Sequence, residues 1–311
     1  MNAEPRWVDV VTPAVTLRVL VWDALTPDAP IALCLHGFPD TAHGFRKLAP
    51  LLVAAGYRVV APFMRGYAPS SIPSDGSYHI GAVMHDALRV RDEFGPSDRD
   101  LLIGHDWGAI AATGLAALPA DHLPVPFAKA VVMSVPPSAG FRAPGSVAER
   151  GRLIAKLPAQ VARSWYILFF QLPWLPERST SRMLPLLWRR WSPGYVGDDL
   201  AEDLAHVEEA IGAPPRWRAA LGTYRAMGRN SAPPAPYTEL HRHWLDAPQL
   251  PVLYLHGDED GCFTAGFTPW VEKILPPGSS TALVEGAGHF LQLEHPQRVA
   301  ELIVEFAGSG L

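Results

Sequence analysis

One repeated alternation constrains the fold of this chain more than any other feature. Short, almost continuously apolar runs occur at 31–36 (IALCLH), 57–63 (YRVVAPF), 100–105 (DLLIGH) and 128–135 (AKAVVMSV), with helical spacing between them. Strands that are apolar at nearly every position suit a sheet covered on both faces. The helices between them supply the crossovers that parallel strands need, and those crossovers are right-handed. Helices are expected over 41–55, 78–94 and 108–118, the first ended by Gly56 and the last by Pro119. Two earlier runs, 6–11 (RWVDVV) and 15–23 (VTLRVLVWD), alternate instead and predict an antiparallel hairpin with one wet face.

The alternation stops near residue 137. Up to 245, Trp, Tyr, Arg and Pro dominate, helical segments are short, and no strand pair stands out. The pattern then resumes with a strand at 251–256, a helix at 266–275, a strand at 280–285 and a closing helix at 290–307. The expected architecture is α/β: a mostly parallel eight-stranded sheet flanked by helices, with a helical insertion after the sixth strand. Residues 1–137 and 246–311 form the expected core, and 138–245 the insertion.

Composition narrows the partners. Hydrophobic residues make up 48% of the 311, enough for a sizeable core, and the formal net charge is −5 with the Arg and Lys scattered. That balance argues against nucleic acid and anionic membranes. No apolar stretch approaches the roughly 18–20 residues of a membrane span. The first residues, MNAEPR, lack the basic start of a secretory signal. Cys34 and Cys262 cannot make a disulfide framework and read as small buried hydrophobes in a reducing compartment. A cytoplasmic monomer or homodimer is expected.

Gly104-His105-Asp106-Trp107-Gly108 follows a predicted strand and opens a predicted helix. A tight turn there presents its central side chain at the sheet's edge, and small residues two positions either side relieve crowding. The helix's positive end favours an anion at that point. Capping of the helix is the plainer role for Asp106. As a nucleophile, a carboxylate with a reference pKa of about 3.9 needs no base at neutral pH. It suits displacement at a saturated carbon, because the ester so formed can be cleaved by water at the enzyme's own carbonyl. A Ser would leave an ether there. Asp106 thus points to epoxides or organic halides.

Its partners follow in chain order. His36-Gly37-Phe38-Pro39-Asp40, after the third strand, offers the Phe38 N–H for an oxyanion, and Trp107 offers a second. His36 reads as a structural loop residue. His289, in Gly286-Ala287-Gly288-His289-Phe290, follows the last strand and is the expected base. In His256-Gly257-Asp258-Glu259-Asp260-Gly261, Asp260 is the preferred acid, Asp258 the fallback, and Glu259 a solvated turn residue.

These motifs resemble the α/β-hydrolase fold and, within it, the epoxide hydrolases, over essentially the whole chain. The resemblance implies two insertion tyrosines that polarise the ring oxygen. Trp165-Tyr166-Ile167-Leu168-Phe169-Phe170-Gln171 places Tyr166 on the first, and Thr223-Tyr224-Arg225-Ala226-Met227-Gly228-Arg229-Asn230 places Tyr224 on the second. Thr223 stands where the family often has Trp. A departing alkoxide needs a proton donor, and a phenol of pKa about 10 is one, whereas a departing halide needs none. Trp165, Phe169 and Phe170 are the expected substrate-pocket residues, with Trp174, Trp188 and Trp191 mainly packing the insertion. The implied reaction takes a small apolar epoxide and water to a vicinal diol. A haloalkane or haloacid dehalogenase with the same Asp-His-Asp set is the alternative, and a non-catalytic binding protein is disfavoured because no triad position is missing. No cofactor or metal is expected: His241 and His243 form a lone H-x-H, and there is no Gly-rich phosphate loop.

Overall fold

The computed structural model describes residues 4–142, 146–229 and 231–308. Its strands are β1 (Arg6–Val11), β2 (Thr16–Trp22), β3 (Ile31–Leu35), β4 (Arg58–Pro62), β5 (Leu101–His105), β6 (Lys129–Met133), β7 (Val252–Gly257) and β8 (Ser280–Val284). They form one sheet in the order β1-β2-β4-β3-β5-β6-β7-β8. β1 is antiparallel to β2, and β2 to β4, while every later pairing is parallel. Each residue of β3, β5 and β7 is buried, as their unbroken apolar runs require. The edge strands β1 and β8 expose part of their length.

The helices α1 (Ala49–Ala54), α2 (Ile80–Glu93) and α3 (Trp107–Ala116) connect the four parallel strands β3 to β6. Between β6 and β7 the chain runs through α4 (Val147–Arg163), α5 (Trp165–Phe170), α6 (Thr180–Trp191), α7 (Asp198–Ile211), α8 (Pro214–Ala220), α9 (Gly222–Gly228) and α10 (Thr238–Arg242), with no strand among its described residues. α11 (Thr268–Val271) precedes β8, and α12 (Leu291–Glu294) and α13 (Pro296–Gly308) close the chain.

Three helices expected as single rods are broken, and a proline accompanies each break. The span 41–55 divides into a 3₁₀ turn at Ala42–Phe45 and α1, which carries Pro50 in its first turn. The span 266–275 divides around α11, with Pro269 in its first turn, and 290–307 divides at Pro296, where α13 begins. Proline lacks an N–H and crowds the carbonyl four residues back, so it is tolerated best where a helix starts. The insertion departs the other way. α4 is 17 residues long despite an internal Pro158, and α6 carries Pro185 within its 12 residues.

This topology gathers the functional loops. β3 and β5 lie side by side although β4 comes between them in sequence. The order therefore reverses there, and the crevice outside their carboxyl ends is where open α/β sheets bind ligands. The insertion is tied to that edge by Trp188 of α6. Its Nε1 donates to Pro39 O at 2.9 Å, and its ring stacks on Phe290 with centroids 3.7 Å apart.

Candidate active site

Asp106 stands in the turn between β5 and α3 with φ +52°, a left-handed value that costs a non-glycine residue energy. The turn closes tightly because both glycines pack on backbone: a Cβ on Gly104 would run into Gly108 O, and one on Gly108 into Leu35 O. Gly37 is equally constrained, since a Cβ there would overlap Asp106 Oδ1 and lie 2.6 Å from Trp107 N. The Asp106 side chain makes no capping bond to α3. Its Oδ1 accepts instead from the Phe38 N–H at 2.7 Å. The capping role is thus displaced, and the carboxylate is turned toward the loop after β3.

Its other oxygen faces His289. Nε2 of His289 lies 3.6 Å from Asp106 Oδ2 and has no hydrogen-bond partner among the described residues. Nδ1 lies 2.9 Å from Asp260 Oδ2. Asp260 Oδ1 accepts from the N–H groups of Cys262 (2.6 Å) and Phe263 (3.0 Å). Between the two acidic candidates, geometry separates Asp260 from Asp258, whose carboxylate accepts from Gly286 N–H at the surface. Glu259 is exposed, as expected.

Electrostatics match this order. Burial alone pushes His289 down, but Asp260 and Asp106 outweigh it and hold the imidazolium, raising its pKa to about 10. Burial pushes Asp260 up, but His289 and the Phe263 N–H overcome that and keep its carboxyl below the usual range. His105 and His256 flank the pair. Burial drives both down, His105 to about 3, so they stay neutral.

The backbone of His289 is clamped from both sides. Its carbonyl accepts from Ser134 Oγ (2.6 Å) and His105 Nε2 (2.8 Å), and its N–H donates to Ser192 Oγ (2.9 Å). Ser134 and Ser192 come from distant segments and carry no motif, whereas His105 sits inside the Gly104–Gly108 motif, which by itself assigns it no partner. His36 is structural as expected: Nε2 accepts from Met64 N–H at 2.9 Å and Nδ1 donates to Gly37 O. His241 accepts from Gly81 N–H, and His243 pairs with Asp246.

The insertion brings aromatics onto this turn. The Tyr224 ring lies 4.9 Å from Trp107 and 5.2 Å from Phe38, and Tyr166 lies 5.8 Å from Tyr224. Both are buried, and the Tyr224 hydroxyl has no hydrogen-bond partner among the described residues. Burial first, and then neighbours that include the Asp106 charge, push both phenols well above their usual pKa, so each keeps its proton. Phe170 joins this wall, 5.4 Å from Phe38 and 5.2 Å from Tyr224. Trp165 and Phe169 are half-buried and pack on each other at 6.0 Å, one layer farther out. Trp191 and Trp217 are closer in: Trp191 lies 4.9 Å from His289, and Trp217 lies 5.5 Å from Phe38. Asn230, at the end of the second tyrosine motif, lies outside the described residues. Cys262 is buried, but not only as a hydrophobe, since its Sγ lies 3.4 Å from Tyr166 Oη.

Chemically, the arrangement offers a carboxylate with one oxygen held by Phe38 and the other facing the His289–Asp260 pair, with two protonated phenols alongside. Residues 30–296 match the family model described as the alpha/beta hydrolase fold. The chain is 30% identical over 331 residues to epoxide hydrolase A of Mycobacterium tuberculosis, covering 97% of this chain and 96% of that one. It is 29% identical over 304 residues to an AB hydrolase superfamily protein of Bacillus subtilis, covering 95% of each. Among solved structures, epoxide hydrolase A of Mycobacterium thermoresistibile superposes with a TM-score of 0.71 at 26% identity, over 97% of this chain and 98% of that one. The chain therefore belongs to the α/β-hydrolase fold family, within its epoxide hydrolases.

Proposed function

We propose that this enzyme converts an apolar epoxide and water to a vicinal diol through an ester on Asp106. The observation that carries this reading is the pair of buried, protonated phenols beside the turn that presents Asp106. The names of its relatives point the same way. In this reading residues 138–245 act as a cap over a core of 1–137 and 246–311. No helix among the described residues is long and apolar enough to cross a membrane.

Tyr166 and Tyr224 donate hydrogen bonds to the ring oxygen. Asp106 Oδ2, the oxygen not held by Phe38, attacks a ring carbon. The carbon–oxygen bond breaks, and its electron pair goes to the ring oxygen, which takes a phenol proton. Ester formation removes the Asp106 charge, one of the two that hold up His289. The imidazolium then gives its proton back to the phenolate and becomes the base. Neutral His289, oriented by Asp260, takes a proton from water, which attacks the ester carbonyl. The Phe38 and Trp107 N–H groups receive the oxyanion. The leaving diol oxygen takes the proton from His289. The new carboxyl of Asp106 then returns one, and the resting pair is restored.

Two measurements test this reading. Tyr166→Phe and Tyr224→Phe are each expected to slow epoxide opening on the order of 10²-fold, the cost of one preorganised donor. Turnover of a chloroalkane by either variant at wild-type rate, with no wild-type opening of any oxirane, would make the enzyme a dehalogenase. The second is pH dependence. Hydrolysis of the ester needs neutral His289, so its rate is expected to rise with pH. The midpoint lies below the value of about 10 held in the free enzyme, because Asp106 is then uncharged. Asp260→Asn lowers that midpoint further. A single-turnover decay rate that is flat from pH 5 to 10 would remove His289 from the base role.

A further inference from the structure

The two phenols are not equivalent. Tyr224 has no partner for its hydroxyl among the described residues, whereas Tyr166 Oη lies 3.4 Å from Cys262 Sγ. Cys262 is 3% exposed and Tyr166 5%. Cys262 is also held in place, because its own N–H donates to Asp260, two residues earlier. A thiol is a weak donor toward a neutral phenol, but its bond strengthens when the acceptor becomes an anion. Burial, first, and the charges of Asp260 and Asp106 push the thiol well above its usual pKa, so it stays S–H. A phenolate formed on Tyr166 would find that donor waiting. Tyr224 lies against Trp107 instead, with ring centroids 4.9 Å apart, and that side chain works against burial to favour the charged form of Tyr224.

We propose that Cys262 is a positioning residue for epoxide opening, its S–H backing Tyr166 when that phenol gives its proton to the ring oxygen. The inference rests on the epoxide-opening reading. In the step, the Asp106 oxygen–carbon bond forms and the ring carbon–oxygen bond breaks. The ring oxygen takes the Tyr166 proton, and the Tyr166 phenolate accepts a hydrogen bond from Cys262, which keeps its own proton. The phenolate is later reprotonated by the His289 imidazolium.

A double-mutant cycle read by single-turnover ester formation tests it, with an aryl oxirane as substrate. Cys262→Ala is expected to slow ester formation about five- to tenfold, the effect of one ordinary hydrogen bond, because a thiol is a weak donor even toward an anion, with little change in KM. Cys262→Ser, which retains a donor, is expected to restore the rate. In a Tyr166→Phe background Cys262→Ala should have no further effect, while in a Tyr224→Phe background its full effect should persist. Equal losses in both backgrounds would reduce Cys262 to packing and overturn the proposal, as would an unchanged rate in Cys262→Ala alone. If the wild-type enzyme opens no oxirane, this inference falls with the reading beneath it. If it forms diol and the cycle shows no coupling to Tyr166, only this inference falls.

Discussion

Asp106→Asn is expected to lower diol formation on the order of 10⁴-fold or more, as loss of a nucleophile does in other covalent hydrolases. Asn is the informative replacement. It tolerates the left-handed backbone of the turn better than most residues and keeps an oxygen to accept from Phe38 N–H. What it loses is the charge and the second oxygen, the atom that faces His289. The fold should therefore survive while the chemistry stops. The companion measurement is multiple turnover of the wild type in ¹⁸O water. Water attacks the carbonyl of the Asp106 ester, so repeated cycles should label that carboxylate, and mass analysis of its peptide should show the heavy isotope. An unlabelled peptide after many turnovers, or an Asn variant retaining a tenth of wild-type activity, would exclude the ester.

His289→Gln should produce the second-largest effect and a different signature. Attack by Asp106 needs no base, whereas ester hydrolysis needs one to take a proton from water. Turnover is expected to fall about 10³-fold, within the usual contribution of a general base. Close to one equivalent of hydroxyalkyl-enzyme should accumulate in the first turnover, visible as a mass increase equal to the substrate. Gln at this position still has a hydrogen-bonding tip for Asp260, and the backbone of residue 289 remains clamped by Ser134, His105 and Ser192. Loss of activity without an adduct would mean that His289 serves the first step rather than the second.

The elements that carry Asp106 and His289 are built differently. Asp106 depends on a local device, a strand–turn–helix with small residues at its two ends, and such a device can be read from five consecutive residues. The alternation of apolar strands with helices is local in the same sense, since each run's periodicity reflects which of its faces are covered. That is why the eight strands were recognisable, while the exact ends of helices interrupted by Pro50, Pro269 and Pro296 were not: proline's effect depends on where in a helix it falls.

The α/β class was legible in the sequence alone, as were the turn that presents Asp106, the loop that carries His289 after the last strand and the order of these parts. Tertiary structure decided which of two neighbouring carboxylates turns inward, placing Asp260 against His289 and leaving Asp258 at the surface. It also set the Trp191 ring against His289, the Trp217 ring against Phe38 and the thiol of Cys262 against the hydroxyl of Tyr166. The physical reason is distance along the chain. A turn or a strand is specified by neighbours a few residues away, but these contacts join α5, α6, α8 and the loop after β7, and no local pattern encodes how separate segments meet.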